Sequence, residues 1–428
     1  MEKFVILGGA KLAGEVNISG AKNSAVALIV AATMVKGVCV IENVPEVTDT
    51  YVLAEIINKL GGRAEFTSKG TITIDCTNLN CYEASYDMVG KIRASSYLMG
   101  ALLGRFNHAK VALPGGCDFG VRPINLHLKA FTALGATHSL DYALVDIQAE
   151  RLVGTSIYMD QVSVGATINA MLAATLAEGI TIIENAAKEP HVVDVANFLN
   201  SMGANVKGAG TDVIKIKGVE ELHGGTYSVI PDQIEAGTFM IAAAATGGDV
   251  VIKNVIPKHL DSLSAKLMEM GVNVEEHDEA VRVYVDKPLE KAKVNTMPYP
   301  GFPTDLQPQM VALLTKAEGT SIVTENVWDN RFQYINQLAR MGAQITVDGR
   351  VAIIEGVGKL KGAPVSSTDL RAGAAMVIAG LMADGVTEVF NLKYIDRGYE
   401  DFVQKLKGLG AQITRRVVED EEIVETIA

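Results

Sequence analysis

The chain has 428 residues, 48% hydrophobic and 21% charged, the composition of a water-soluble protein with a large buried core. Lys and Arg total 38 against 50 Asp and Glu, a formal charge of −12, which excludes the basic surface that general nucleic-acid binding needs. Its longest apolar runs, residues 25–32 and 374–383, fall far short of the ~18 residues of a spanning helix, so no membrane insertion is expected.

The first residues lack the layout of a secretion signal. Four cysteines, Cys39, Cys76, Cys81 and Cys117, are too few for a disulfide scaffold, so a cytoplasmic location with reduced thiols is expected. The histidines form no His-x-x-x-His pair, and no metal site is expected. From residue 22 onward the chain reads as six copies of one pattern. Each copy opens on a helix rich in small residues, ending at Gly37, Gly104, Gly179, Gly248, Gly319 and Gly385. Five of these lead into an alternating strand that closes on asparagine, as in residues 38–43 and 180–185. A second helix ends in Leu/Met-Gly-Ala or a close variant at Gly61, Gly135, Gly203, Gly271, Gly342 and Gly410, at spacings of 68 to 74 residues. A hairpin usually completes the copy; Asp348-Gly349 between two alternating runs is a strong turn. The last copy runs out into Glu419-Asp420-Glu421-Glu422, which reads as a solvated tail. The size of one core favours two domains of three copies each, and the first helix of each copy reads as buried on all sides.

Polar and charged residues collect where those buried helices begin: at Lys22-Asn23, Arg93, residues 163–165, residues 232–235, Thr304-Asp305 and residues 369–371. Asp and Ser there have an ordinary explanation as helix caps. Lys22, Arg93 and Arg371 do not. A cation opposes the positive end of the helix dipole, at a cost of roughly 0.3–1 kcal/mol, unless an anion lies nearby. Three such residues at equivalent positions imply that these helix ends surround something negative.

Two loops depart from the repeat. Residues 113–123, Leu-Pro-Gly-Gly-Cys-Asp-Phe-Gly-Val-Arg-Pro, place Cys117 among glycines that allow close backbone approach to a ligand. The pattern suits an exposed, reactive thiol, whereas Cys39, within a strand, reads as a small buried hydrophobe. The second loop is Asp396-Arg397-Gly398-Tyr399, between the last strand and the last helix.

Taken with Ser19-Gly20-Ala21-Lys22-Asn23, Ser163-Val164-Gly165-Ala166-Thr167, Phe302-Pro303-Thr304-Asp305 and Thr368-Asp369-Leu370-Arg371, these loops resemble the enolpyruvyl transferase family over the whole chain. The nearest resemblance is to the branch whose acceptor is UDP-N-acetylglucosamine, in the form that low-GC Gram-positive bacteria carry as a second copy. It implies an α/β fold of six βαβαββ-like units arranged as two inside-out barrels with helices in the middle. One domain would hold residues 22–229, the other residues 1–21 and 230–428, the chain crossing twice. It also implies transfer of the enolpyruvyl group of phosphoenolpyruvate to the sugar 3-hydroxyl, the first committed step of peptidoglycan synthesis, with no cofactor and no metal.

Residue roles follow from the same resemblance. Cys117 protonates the substrate carbon and is the target of the epoxide fosfomycin; Asp305 accepts the hydroxyl proton. Lys22, Asn23, Arg122 and Arg397 hold phosphoenolpyruvate. Asn23, Arg93, Arg122, Pro123, Ile124, Asn125, Leu126, Ser163, Val164, Gly165, Asp305 and Val327 line the nucleotide-sugar site, with Asp369 and Arg371 in support. The sequence departs from the family pattern at Gln233, His191, Asn125 and Trp328-Asp329, none of them a proposed acid, base or phosphate ligand. One competing reading is the shikimate-pathway transferase of the same fold, which does not use this cysteine. Another is a low-turnover paralogue that binds the nucleotide sugar or a regulatory partner.

Overall fold

The structure, a computed structural model, describes residues 2–89, 92–113, 124–141 and 143–417. Of these, residues 20–230 form one compact unit, and residues 2–19 with 231–417 form the other. Each has its own hydrophobic core.

The repeat appears as six four-stranded sheets, three in each unit. In a typical sheet an alternating strand pairs with a hairpin on one side and a short parallel strand on the other. Val38–Glu42, for example, lies antiparallel to Thr71–Asp75 and parallel to Gly225–Ser228. That parallel strand comes from the end of the third copy, so the unit closes on itself. The other unit closes through the N-terminus. Ala13–Asn17 runs parallel to Asp249–Lys253. Glu2–Leu7 lies antiparallel between Val386–Phe390 and Gln412–Val417, supplying the hairpin strand that the sixth copy lacks.

Local signals account for the ends of the elements. The six glycines of the Leu/Met-Gly-Ala signature all have φ between +86° and +100°, a left-handed conformation that ends a helix at no cost to glycine. Four of the five asparagines that close the strands are also left-handed, Asn43, Asn185, Asn254 and Asn391 at φ 55° to 59°, whereas Asn326 is not. Three of these side chains donate to the carbonyl just beyond the parallel partner strand: Asn43 to Val229, Asn185 to Met159 and Asn254 to Ile18, at 2.7–2.8 Å. One residue thus turns the chain and ties down the neighbouring strand.

The first helices of the copies fill the centre of each unit. In one unit these are Lys22–Ala31, Tyr97–Phe106 and Val164–Thr175; in the other, Gln233–Thr246, Gln307–Leu314 and Leu370–Met382. Nearly every residue of Ser24–Ala31 and Ile234–Thr246 is buried, whereas the surrounding strands bury alternate residues. Helices therefore lie inside and sheets outside, and small residues let the helices approach. A Cβ on Gly100 would stand 2.5 Å from the carbonyl oxygen of Asn169 on the facing helix. Gly100→Ala is accordingly expected to lower stability by about 1–3 kcal/mol. Gly408→Ala, in an exposed helix with nothing within 4 Å, should be neutral or stabilising. Urea midpoints of the two variants check this; equal midpoints would show that the central helices can move apart.

Candidate active site

In the unit of residues 20–230, Lys22 is the first residue of its helix, with Asn23 next to it. The Lys22 Nζ lies 2.9 Å from Asp49 Oδ2, the lysine 13% exposed and the aspartate 1%. Asp49 sits in the first turn of Thr48–Lys59. The anion that offsets this helix-end cation is thus a carboxylate of the chain. Beside it, Ser24 hydrogen-bonds Asp194, which also accepts from the Tyr227 hydroxyl at 2.5 Å. Burial pushes Asp194 above the usual carboxylate range.

Ser163 caps the helix Val164–Thr175, accepting from the Ala166 N–H at 3.2 Å. Ile124 precedes the helix Asn125–Ala133, whose first two residues are Asn125 and Leu126. His127, on that helix, faces Gly165: a Cβ at Gly165 would lie 3.1 Å from the imidazole Cε1. The hydrogen bonds of Asn169 determine how the imidazole is protonated. Its Oδ1 accepts from the Gly100 N–H, so its Nδ2 is the donor to the Ser96 carbonyl and to His127 Nδ1 at 2.8 Å. His127 is therefore neutral with its proton on Nε2. Burial depresses its pKa from 6.5 to about 4.

That depression has a testable consequence. Between pH 6.5 and 4 the unfolded chain binds a proton that the folded chain refuses. The associated stability is complete above pH 6.5 and is lost as pH falls towards 4, up to roughly 3 kcal/mol. His127→Gln, which keeps an acceptor for Asn169, should lack this slope. Urea unfolding of parent and variant at pH 7 and pH 4.5 decides it; parallel losses would place the acid sensitivity elsewhere.

In the other unit Asp305 lies in the single turn Thr304–Leu306 ahead of the helix Gln307–Leu314. Its carboxylate is 3.4 Å from Arg331 Nη2 and 3.2 Å from Arg371 Nη2, both arginines 4% exposed and Asp305 29%. Arg371 begins the helix that Asp369 caps through the backbone N–H groups of Arg371 and Ala372. Burial works against the charge of Arg371, but Tyr399, Asp305 and Asp232 outweigh it and hold the guanidinium more firmly protonated than usual. Gln309 Nε2 donates to the Asp305 carbonyl at 3.0 Å and to the Tyr399 hydroxyl at 3.3 Å. Val327 is 36% exposed, just beyond the strand Thr320–Thr324. Arg397 ends the turn Leu392–Arg397 and is half-buried.

The family model for EPSP synthase (3-phosphoshikimate 1-carboxyvinyltransferase) matches residues 6–406. The chain is 59% identical to the UDP-N-acetylglucosamine 1-carboxyvinyltransferase 3 of Caldanaerobacter subterraneus subsp. tengcongensis, over 97% of this chain and 99% of that one. The chain belongs to the carboxyvinyltransferase, or enolpyruvyl transferase, family. Another member, the UDP-N-acetylglucosamine 1-carboxyvinyltransferase 2 of Bacillus subtilis, is 55% identical over 99% of both chains. Among solved structures, the enolpyruvyl transferase NikO from Streptomyces tendae aligns with TM-score 0.89 and 29% identity, over 98% of this chain and 99% of that one. The EPSP synthase of Acinetobacter baumannii aligns with TM-score 0.75 at 22% identity, over 97% and 100%, and shares the fold.

Some expected site residues of this enolpyruvyl transferase, Cys117, Arg122 and Pro123, lie outside the described residues. Arg93 opens a short turn, Arg93–Ser96, before the helix Tyr97–Phe106. Two residues that the sequence did not single out, Arg331 and His127, stand beside expected ones. Arg331 lies two residues after the departure at Trp328-Asp329, and a buried arginine needs a counter-charge, a signal that only its burial reveals. The departures from the family pattern fall mostly at element starts. Gln233 begins its helix, fifteen residues before Gly248 as Lys22 is before Gly37, and so occupies the Lys22 position of the fourth copy. Among the described residues no three metal-ligating side chains gather, and no helix is long and apolar enough to cross a membrane.

Proposed function

We propose that this enzyme transfers the enolpyruvyl group of phosphoenolpyruvate to the 3-hydroxyl of UDP-N-acetylglucosamine, releasing phosphate, in peptidoglycan synthesis in the cytoplasm. The observation that carries the choice of acceptor is the contrast in likeness: 52–59% identity to transferases named for UDP-N-acetylglucosamine, against 22% to an EPSP synthase that shares the fold.

The reaction is an addition followed by an elimination. The methylene carbon of phosphoenolpyruvate gains a proton from Cys117 while the sugar hydroxyl, losing its proton to Asp305, adds to the neighbouring carbon. Reversal of the carbon protonation then expels phosphate. Lys22 and Arg397, with Asn23 and Arg122, hold the anionic donor; arginine offers paired donors to carboxylate and phosphate. The geometry gives these roles physical support. Asp49 buttresses Lys22 near a helix N-terminus, where an anion is favoured. Asp305 is partly exposed while the arginines behind it are buried, so the carboxylate is aimed and still accessible. Arg93, residues 122–126, residues 163–165 and Val327 contact the nucleotide sugar, with Asp369 and Arg371 in support. His127 Nε2–H, facing Gly165, is a further donor available there.

Phosphate release from phosphoenolpyruvate, measured with UDP-N-acetylglucosamine or shikimate 3-phosphate as sole acceptor, tests the proposal. Turnover with the nucleotide sugar alone is expected. Turnover with only the shikimate ester would overturn the choice of acceptor, and none with either would leave a binding protein.

A further inference from the structure

Glu325, at the end of the strand Thr320–Thr324, is 1% exposed, and no cation pairs with it among the described residues. Burying an ionised carboxylate without a counter-charge is costly unless hydrogen bonds replace the lost water. Here they do. Oε1 accepts from Thr296 Oγ1 at 2.8 Å, from the Val327 N–H at 2.9 Å and from the Trp328 N–H at 3.0 Å; Oε2 accepts from Thr304 Oγ1 at 3.0 Å. The Thr296 hydroxyl, fully buried, accepts in turn from the Asn326 N–H at 2.9 Å. The donors come from three separate segments. One carries Thr304, next to Asp305; another carries Val327; the third carries Thr296, whose own side chain is buried. A carboxylate suits this position because it only accepts, with about four lone-pair sites. Glutamine would turn an amide donor toward groups that are themselves donors.

We propose that Glu325 is a positioning residue for the acceptor sugar: its carboxylate holds the segment of Asp305 and the segment of Val327 at one fixed separation. This rests on the assignment of Asp305 and Val327 to UDP-N-acetylglucosamine. Preorganisation of this kind matters because a misplacement of ~1 Å can cost on the order of 10²-fold in rate.

The test compares the parent with Glu325→Gln, Thr296→Val and Thr296→Ser. Thr296→Val removes one hydroxyl at constant shape, and Thr296→Ser restores it. Measurements are KM for each substrate and the emission of Trp328, the chain's single tryptophan, whose backbone N–H is one of the Glu325 donors. In Glu325→Gln, KM for UDP-N-acetylglucosamine should rise about tenfold or more, with KM for phosphoenolpyruvate within about twofold. Trp328 emission should shift to the red. Thr296→Val should move the same way by less, and Thr296→Ser should match the parent. If Glu325→Gln does not fold, the Thr296 pair decides. Unchanged sugar KM in folded variants, or equal rises in both KM values, would overturn the proposal. If the parent releases no phosphate with the sugar, the functional reading fails instead. Trp328 emission then decides the positioning: a red shift upholds it and an unchanged spectrum overturns it.

Discussion

Asp305→Asn is expected to lower turnover by roughly 10²–10⁴-fold, the usual contribution of a positioned general base, while the protein remains folded. Asparagine keeps the size of the side chain and an acceptor oxygen but cannot take up the hydroxyl proton. It also removes the negative charge that faces Arg331 and Arg371 at 3.4 and 3.2 Å. Removing one partner of a buried ion pair can cost about 3–5 kcal/mol. The cost should be smaller here because Asp305 is 29% exposed and water screens the pair. Asp305→Ala adds a lost contact and should be less stable than Asp305→Asn, with no further loss of turnover. Thermal melts beside single-turnover assays separate the two effects. An Asp305→Asn enzyme that is folded and keeps more than about a tenth of parental kcat would show that Asp305 anchors the arginines and does no proton transfer.

Cys117→Ser is expected to be nearly inactive and Cys117→Asp to keep partial activity. If Cys117 delivers the proton to carbon, the position needs a transferable proton, and serine holds its proton too tightly. An aspartic acid can carry one when desolvation raises its pKa, although Arg122 would act in the opposite direction. The variant should therefore work best at lower pH than the parent. The same change removes the thiolate that an epoxide attacks. Fosfomycin should inactivate the parent with time, more slowly when phosphoenolpyruvate competes, and should leave Cys117→Asp untouched. Two other thiols serve as internal controls. Cys39 and Cys76 are fully buried, and burial pushes both up to about 12, so neither should be alkylated in the folded protein. A fully active Cys117→Ser enzyme, or mass-spectrometric adducts on Cys117→Asp, would move the reactive group elsewhere.

The helix-end cations show how far a local rule reaches. The sequence placed Lys22, Arg93 and Arg371 at helix starts and required an anion near them. For Lys22 and Arg371 the structure supplies carboxylates of the chain, Asp49 and Asp305. In the proposed reaction Asp305 therefore meets its substrate already paired. Capping, the ordinary explanation for Asp or Ser at such a place, holds for Ser163, Asp232 and Asp369, whose side chains accept from backbone N–H groups. The Asp305 carboxylate instead faces two guanidinium groups.

The sequence alone determined what depends on a residue's own backbone preferences and on period. Six glycines at a near-constant spacing marked six helix ends because glycine takes φ near +90° without steric cost. Asparagine closed strands for the same local reason, and unbroken apolar character marked the helices buried in the middle. Only the tertiary structure decided what depends on residues far apart in the chain. Glu2–Leu7 completes the last sheet beside Val386–Phe390, a pairing that no local pattern encodes. Arg331 and Arg371 reach Asp305 from 26 and 66 residues away. Glu325 gathers its donors from three segments, and His127 owes its neutral state to Asn169 and to burial. The physical reason is common to all four. Backbone conformation is set by neighbours along the chain, whereas the partner of a strand edge or of a buried polar group is set by which segments the core brings together.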